Sequence, residues 1–294
     1  MKALRILGIG MASGLLIVLI SSWVIAGRLV EPQRHLIGPA PSDLPAKAIS
    51  IYSQSGSRLA GWHVPATPSK GVVVLLHGIR GSRLSMLGRA RFLHGAGFSV
   101  VMIDFQAHGE SPGAQITAGH LEKHDARAAI GFAKTRHPGE PVAIIGVSLG
   151  AAAAILATPL NIDALVVESA YPDIRNAIHN RVSIRLGPVS WLPSELLLAQ
   201  LKPRLGIPRS ALRPVVNISG VGVPLLLVSG GEDRHTTVSD TRQLFDAAAQ
   251  PKELWIVEGA GHVDLHAVEP VEYEARILDF FWRHMRKVPP GNAG

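Results

Sequence analysis

The chain has 294 residues, 47% of them hydrophobic, with 30 Gly and 21 Pro, enough apolar material for a large core joined by many turns. It contains no cysteine, which excludes a disulfide, a thiolate nucleophile and a Cys-ligated metal. The formal charge is +7, but no Arg/Lys tract is interleaved with aromatics, which argues against nucleic acid and leaves an anionic membrane surface as the more economical partner.

Ile6 to Ala26 carries no charged side chain, and about 20 helical residues cross a hydrocarbon core of about 30 Å. The sequence therefore predicts a transmembrane signal anchor over 1–27. Lys2 and Arg5 precede the apolar run, which favours an exported (periplasmic or extracytoplasmic) remainder, while Arg28 and Arg34 weaken that bias. Two alternatives stand beside it: a buried core helix, disfavoured by the lack of a polar face, and a signal peptide cleaved after Val24-Ile25-Ala26. Residues 28–47, with Pro32, Pro39, Pro41 and Pro45, predict an extended linker.

From 48 to 288 the pattern is that of one domain. Ala48–Tyr52 and Leu59–Val64, separated by Ser55-Gly56-Ser57, predict a hairpin. The apolar run Val72–Leu76 predicts a central strand, followed by a helix near 84–95, a strand at 98–103 and a helix over 121–135 with an Ala/Ile face. Strands are expected at 141–145, 164–167, 224–228 and 253–257, with helices at 149–157, 238–248 and 270–285. The tail 289–294 reads as disordered. Such alternation predicts a mainly parallel sheet covered on both faces, with ligands at the carboxyl ends of its strands.

The chemistry-bearing residues fall at those ends. Strand 141–145 runs into Gly146-Val-Ser148-Leu149-Gly150 and then an Ala-rich helix. This is G-x-S-x-G in a strand–turn–helix context, which raises a serine hydroxyl above the sheet on a turn tight enough to need small residues at Gly146 and Gly150. An unactivated serine needs a base and an acid to orient it. Asp233 follows strand 224–228 and His262 follows strand 253–257, in the order Ser, Asp, His. Alone, Asp233 reads equally as a turn residue and His262 as a surface or capping histidine. Glu168 and Asp173 are alternative acids, and Glu232, Asp264 and His266 are near neighbours of the expected pair. An oxyanion hole needs two backbone N–H groups; Leu149 and Ile79, in the loop after His77-Gly78, are expected to supply them. Asp104 and His108 are expected to brace the loops beside the nucleophile, and no metal-ligand spacing occurs.

These motifs, with H-G at 77–78 and D-x-x-x-H-G-x-S at 104–111, resemble the α/β-hydrolase superfamily, specifically its Bem46-like and prolyl-oligopeptidase-like branch. The resemblance covers about residues 50–285. It implies an α/β-hydrolase fold with an eight-stranded, mainly parallel sheet, no cofactor, and cleavage of esters, thioesters or amides through an acyl-enzyme. Gln106 departs from the pattern, where Arg or Tyr is commoner, and puts the packing of its loop in question. The long stretch between the sixth and seventh strands, about 171–220, is expected to form a small cap. Its Arg175, Arg181, Arg185, Lys202, Arg204, Arg209 and Arg213, with Trp191 and Leu196–Leu198, suit either a solvated face or contact with anionic lipid or an acidic substrate. The expected activity is that of a carboxylesterase on a small-molecule or lipid acyl substrate. The alternatives are a serine peptidase and a catalytically silent binding protein.

Overall fold

The computed structural model describes residues 2–285, the side chains of 2–9, 11, 12 and 15 excepted. The tail at 289–294 lies outside the described residues. Eight strands form one sheet: β1 (Lys47–Tyr52), β2 (Arg58–Val64), β3 (Val72–Leu76), β4 (Ser99–Ile103), β5 (Val142–Val147), β6 (Ala164–Glu168), β7 (Leu225–Gly230) and β8 (Lys252–Val257). Their order across the sheet is β1-β2-β4-β3-β5-β6-β7-β8. Only β2 runs against its neighbours, pairing antiparallel with β1 and β4. The helices are α1 (Lys2–Val30), α2 (Leu87–Gly95), α3 (Glu122–Arg136), α4 (Leu149–Leu156), α5 (Ile174–Leu186), α6 (Trp191–Ala199), α7 (Leu201–Leu205), α8 (Pro214–Asn217), α9 (Val238–Ala247), α10 (Leu265–Val268) and α11 (Pro270–His284).

The uninterrupted apolar runs follow from burial on two faces. In β3, Val72, Val74 and Leu76 enter the core under α3, α4 and α9, while Val73 and Leu75 enter the one under α2 and α11. A strand with one face in water would alternate with polar residues; these cannot. The helix expected near 84–95 begins as a 3-10 turn at Arg83–Met86 and becomes α-helical only at Leu87.

The cap spans α5 to α8 and rests on α4, where Ala152 and Leu156 meet Tyr171, Ile174, Leu198 and Leu212 in a separate apolar cluster. The stretch read as a linker is extended, yet it lies on the domain. Gln33–Arg34 pair in parallel with His108–Gly109, and Leu44 is buried beside Trp62 and Phe98. The end of α1 touches the cap: Gln200 Nε2 donates to Ser22 Oγ (2.8 Å), and Arg204 donates to the Trp23 carbonyl (2.6 Å). Among the described residues no helix is long and apolar enough to cross a membrane. The span expected at 6–26 is therefore not shown by them, and part of it lies outside the described side chains.

Candidate active site

Ser148 sits between β5 and α4 at φ 51°, ψ −105°, a left-handed backbone that a non-glycine residue holds only under strain. The turn is packed too tightly for side chains on either flank. A Cβ at Gly146 would lie 2.7 Å from the Ala151 nitrogen, and one at Gly150 would run into the Leu76 carbonyl. Ser148 N–H is held by the Glu168 carbonyl of β6 (2.8 Å). The elbow is thus fixed by the two strands beside it as well as by its own sequence.

The base and acid reach Ser148 from the ends of β8 and β7. Ser148 Oγ stands 3.3 Å from His262 Nε2, and His262 Nδ1 stands 2.7 Å from Asp233 Oδ2. Donation from Nδ1–H to the carboxylate leaves Nε2 unprotonated and facing the serine hydroxyl, the tautomer a general base requires. The two loops can converge because residue 230 is glycine: a Cβ there would lie 2.6 Å from the Gly261 carbonyl. Asp233 also accepts from the N–H groups of His235 (2.8 Å) and Thr236 (2.9 Å) and from Thr236 Oγ1 (2.7 Å). Burial works to raise its pKa, but the hydrogen bonds from His262 and Thr236 prevail and hold the carboxyl at about 2. Asp233 is therefore a carboxylate throughout the range in which the fold operates.

Leu149, the first residue of α4, and Ile79, in the loop after β3, present backbone N–H groups with no hydrogen-bond acceptor among the described residues. Gly78 packs against Ser148, its missing Cβ position 3.6 Å from the serine Cβ. His77 fixes that loop. Its ring is fully buried, with Nδ1–H donating to the Gly78 carbonyl (2.7 Å) and Nε2 accepting from Phe105 N–H (3.1 Å). Burial, with repulsion from His108, drives its pKa down to about 3, so the imidazole is neutral.

Asp104 and His108 lie in the adjoining loop and do not reach the triad hydrogen bonds. Asp104 accepts from Arg83 N–H (2.7 Å), from the Arg83 guanidinium and from Glu110 N–H (2.9 Å). His108 Nδ1–H donates to the Gln106 carbonyl (2.9 Å). Gln106, the departure from the pattern, donates through Nε2 to the Gln115 carbonyl (2.8 Å) and Glu122 Oε1 (2.7 Å). It ties its loop to α3 in its own way.

The other acids are engaged elsewhere. Glu168 is buried in an ion pair with Arg89 (2.6 Å), and Asp173 caps α5 and binds Arg213 (2.7 Å). Asp264 caps α10 and meets Arg89 (2.8 Å), and His266 meets Glu274 (2.8 Å). Asp233, His235 and His262 hold donor atoms within 4.8 Å of one another, a spacing compatible with a cation. The two Asp233 oxygens, however, already accept four hydrogen bonds. Sequence reasoning missed Thr236, Arg89 and Arg83. Thr236, three residues after Asp233, carried a local signal as a turn hydroxyl; Arg89 and Arg83 carried none, because their partners are distant in sequence.

A mostly parallel sheet in this strand order, with its nucleophile turn after the fifth strand, is the α/β-hydrolase fold. Similarity to known proteins agrees. Residues 67–217, about half of the chain, match the family model described as serine aminopeptidase, S33, and the chain belongs to that family. An uncharacterized Mycobacterium tuberculosis protein, Rv2307c, is 32% identical over 265 residues, covering 85% of this chain and 86% of its own. The uncharacterized Bacillus subtilis protein YqkD is 24% identical over 239 residues, covering 79% and 78%. Among solved structures, the Pyrococcus furiosus esterase Pf2001 superposes with a TM-score of 0.74 at 27% identity, covering 87% of this chain and 98% of that one.

Proposed function

We propose that the protein is a serine esterase that works through an acyl-enzyme on Ser148. The observation that carries this reading is the continuous chain from Ser148 Oγ through His262 to Asp233, at 3.3 and 2.7 Å, on a strained elbow. His262 Nε2 takes the hydroxyl proton as Oγ attacks the ester carbonyl, and the oxyanion forms against the N–H groups of Ile79 and Leu149. His262 then returns the proton to the leaving alcohol as the C–O bond breaks. In the second half His262 deprotonates water, which attacks the acyl-enzyme; acid is released and Ser148 recovers its proton.

An ester is preferred to a peptide because Pf2001, described as an esterase, is similar over nearly its whole length. The family description, serine aminopeptidase, supports the second reading. Treatment with a fluorophosphonate probe, followed by mass spectrometry, is expected to place one adduct on Ser148 and none in Ser148→Ala. A folded protein that takes up no probe would end the catalytic reading in favour of a binding protein. Hydrolysis of aminoacyl 4-nitroanilides but not of 4-nitrophenyl esters would favour the peptidase.

The same reading includes an N-terminal membrane anchor with the domain on the exported side. In its support, the described Leu, Ile, Val and Trp side chains of α1 from Leu16 to Leu29 are 42–64% exposed, although Ser22 and Ala26 between them are buried. In water that surface is costly. The full-length protein is expected in the membrane fraction, released by detergent and retained through alkaline carbonate; release by salt alone would sink the anchor.

A further inference from the structure

The end of α1 meets the loop after β3 as well as the cap. The last carbonyls of an α-helix have no partner within it. The Arg28 carbonyl of α1 would otherwise take the N–H of residue 32, which is Pro32 and has none. The Arg80 guanidinium takes that place, donating from a terminal nitrogen (2.9 Å), at a helix end where the dipole also favours a cation. The Val30 carbonyl accepts from Ile116 N–H (2.8 Å). One turn and more upstream, α1 is seated on the cap by Gln200 on Ser22 (2.8 Å) and by Arg204, which donates to the Trp23 carbonyl (2.6 Å) and lies 4.1 Å from the centre of the Trp23 ring.

Arg80 is the third residue of a tight turn. Gly81 N–H donates to the Gly78 carbonyl (3.1 Å), so the turn runs Gly78-Ile79-Arg80-Gly81, and Arg80 holds φ at 60°. A left-handed third position favours Gly or Asn, because a Cβ strains the backbone there. An arginine is kept in it by contacts made elsewhere, and the one side-chain hydrogen bond of Arg80 among the described residues is the bond to Arg28. The strained turn is also the one beside the nucleophile: the missing Cβ position of Gly78 lies 3.6 Å from the Ser148 Cβ. On its near side the turn is fixed by His77, whose Nδ1–H donates to the Gly78 carbonyl (2.7 Å). On its far side Arg80 ties it to α1.

We infer that Arg80 is a positioning residue for acyl transfer: docked on the C-terminus of α1, it holds the turn in the conformation that presents Ile79 N–H to the oxyanion. The inference rests on the esterase reading of Ser148, with Ile79 as an oxyanion donor, and makes the seating of α1 on the cap part of the support of that site. Arg80 acts through the turn and not on the reacting atoms.

The test uses the full-length protein in detergent, 4-nitrophenyl butyrate as substrate, and a trifluoromethyl ketone of matching chain length as an analogue of the tetrahedral intermediate. Arg80→Gly and Arg80→Asn remove the tether with residues that accept a left-handed backbone, so both should fold, which near-ultraviolet circular dichroism verifies. An oxyanion contact is made in the transition state and not in the bound ester. Both variants are therefore expected to lower kcat by about tenfold or more, to leave KM within about twofold, and to weaken the ketone by the same factor as kcat/KM. Arg80→Lys, which still carries a donor to the carbonyl, should stay within about threefold of wild type. Arg204→Ala, which loosens α1 from the cap, should lower kcat in the same way and add little to Arg80→Gly; losses that multiply in the double variant would overturn the part given to α1. A folded Gly or Asn variant with wild-type kcat, or one whose loss lies in KM with ketone affinity unchanged, overturns the inference while the esterase reading stands. Absence of both ester hydrolysis and fluorophosphonate labelling at Ser148 in the wild type overturns both.

Discussion

Replacing His262 with alanine is expected to lower kcat/KM on any ester the protein hydrolyses by about 10⁴-fold or more. Without the His262 imidazole no other described group is in hydrogen-bond contact with Ser148 Oγ to take its proton: His235 meets the His262 ring edge-on but does not reach the serine hydroxyl. Asp233→Asn should cost about 10⁴-fold through a different route. The amide keeps the shape but presents N–H₂ or a neutral oxygen to Nδ1, so the ring loses both its tautomer and the charge that stabilises the imidazolium. Because the Asp233 carboxyl titrates at about 2, this loss should persist across the whole working pH range. Steady-state kinetics on 4-nitrophenyl esters measures both variants, and activity within tenfold of wild type in either would show that another group is the base or its orienting acid. Thr236→Val removes one of four hydrogen bonds to Asp233, and its effect should be smaller.

Arg89→Met is expected to destabilise the fold by about 3–5 kcal/mol. Arg89 reaches from α2 to Glu168 at the end of β6, donating from Nε (3.0 Å) and a terminal nitrogen (2.6 Å), and also meets Tyr273 Oη (3.0 Å) and Asp264 (2.8 Å). Glu168 is only 1% exposed, so removing the guanidinium strands a carboxylate where water cannot replace the lost partner. Replacing both, as in Arg89→Met with Glu168→Leu, should recover most of the loss, because the penalty belongs to the orphaned charge and not to the absence of the pair. Denaturant unfolding monitored by tryptophan fluorescence tests this, and a change below about 1 kcal/mol in the single variant would mean the pair carries no such weight. The same geometry explains why Glu168 does not orient His262: its two oxygens are occupied by Arg89 and Tyr273.

Much of this was legible in the sequence because it rests on local physics. Apolar runs buried on both faces, such as Val72–Leu76, can only be central strands, and G-x-S-x-G between one of them and an Ala-rich helix specifies its own strained turn. The order Ser148, Asp233, His262 places three side chains at strand ends of one sheet edge. The boundary of α2 was less legible, since the 3-10 turn at Arg83–Met86 follows from tying Arg83 to Asp104, a residue 21 positions away. The proline-rich stretch 28–47 read as an extended linker, and its contacts with the domain were not legible: Leu44 is buried and Ile37 N–H is held by Glu110 (3.1 Å).

Sequence by itself determined the strand and helix alternation, the elbow at Ser148 and the candidates for acid and base, since each depends on residues near one another in the chain. Tertiary structure alone decided between Asp233 and Glu168, because that choice turns on Arg89, which only folding brings to Glu168. It also decided which of the seven cap cations are paired, Arg175 and Arg209 with Glu195 and Arg213 with Asp173: ion pairing at 2.5–3.0 Å is a property of space, and spacing along the chain does not encode it.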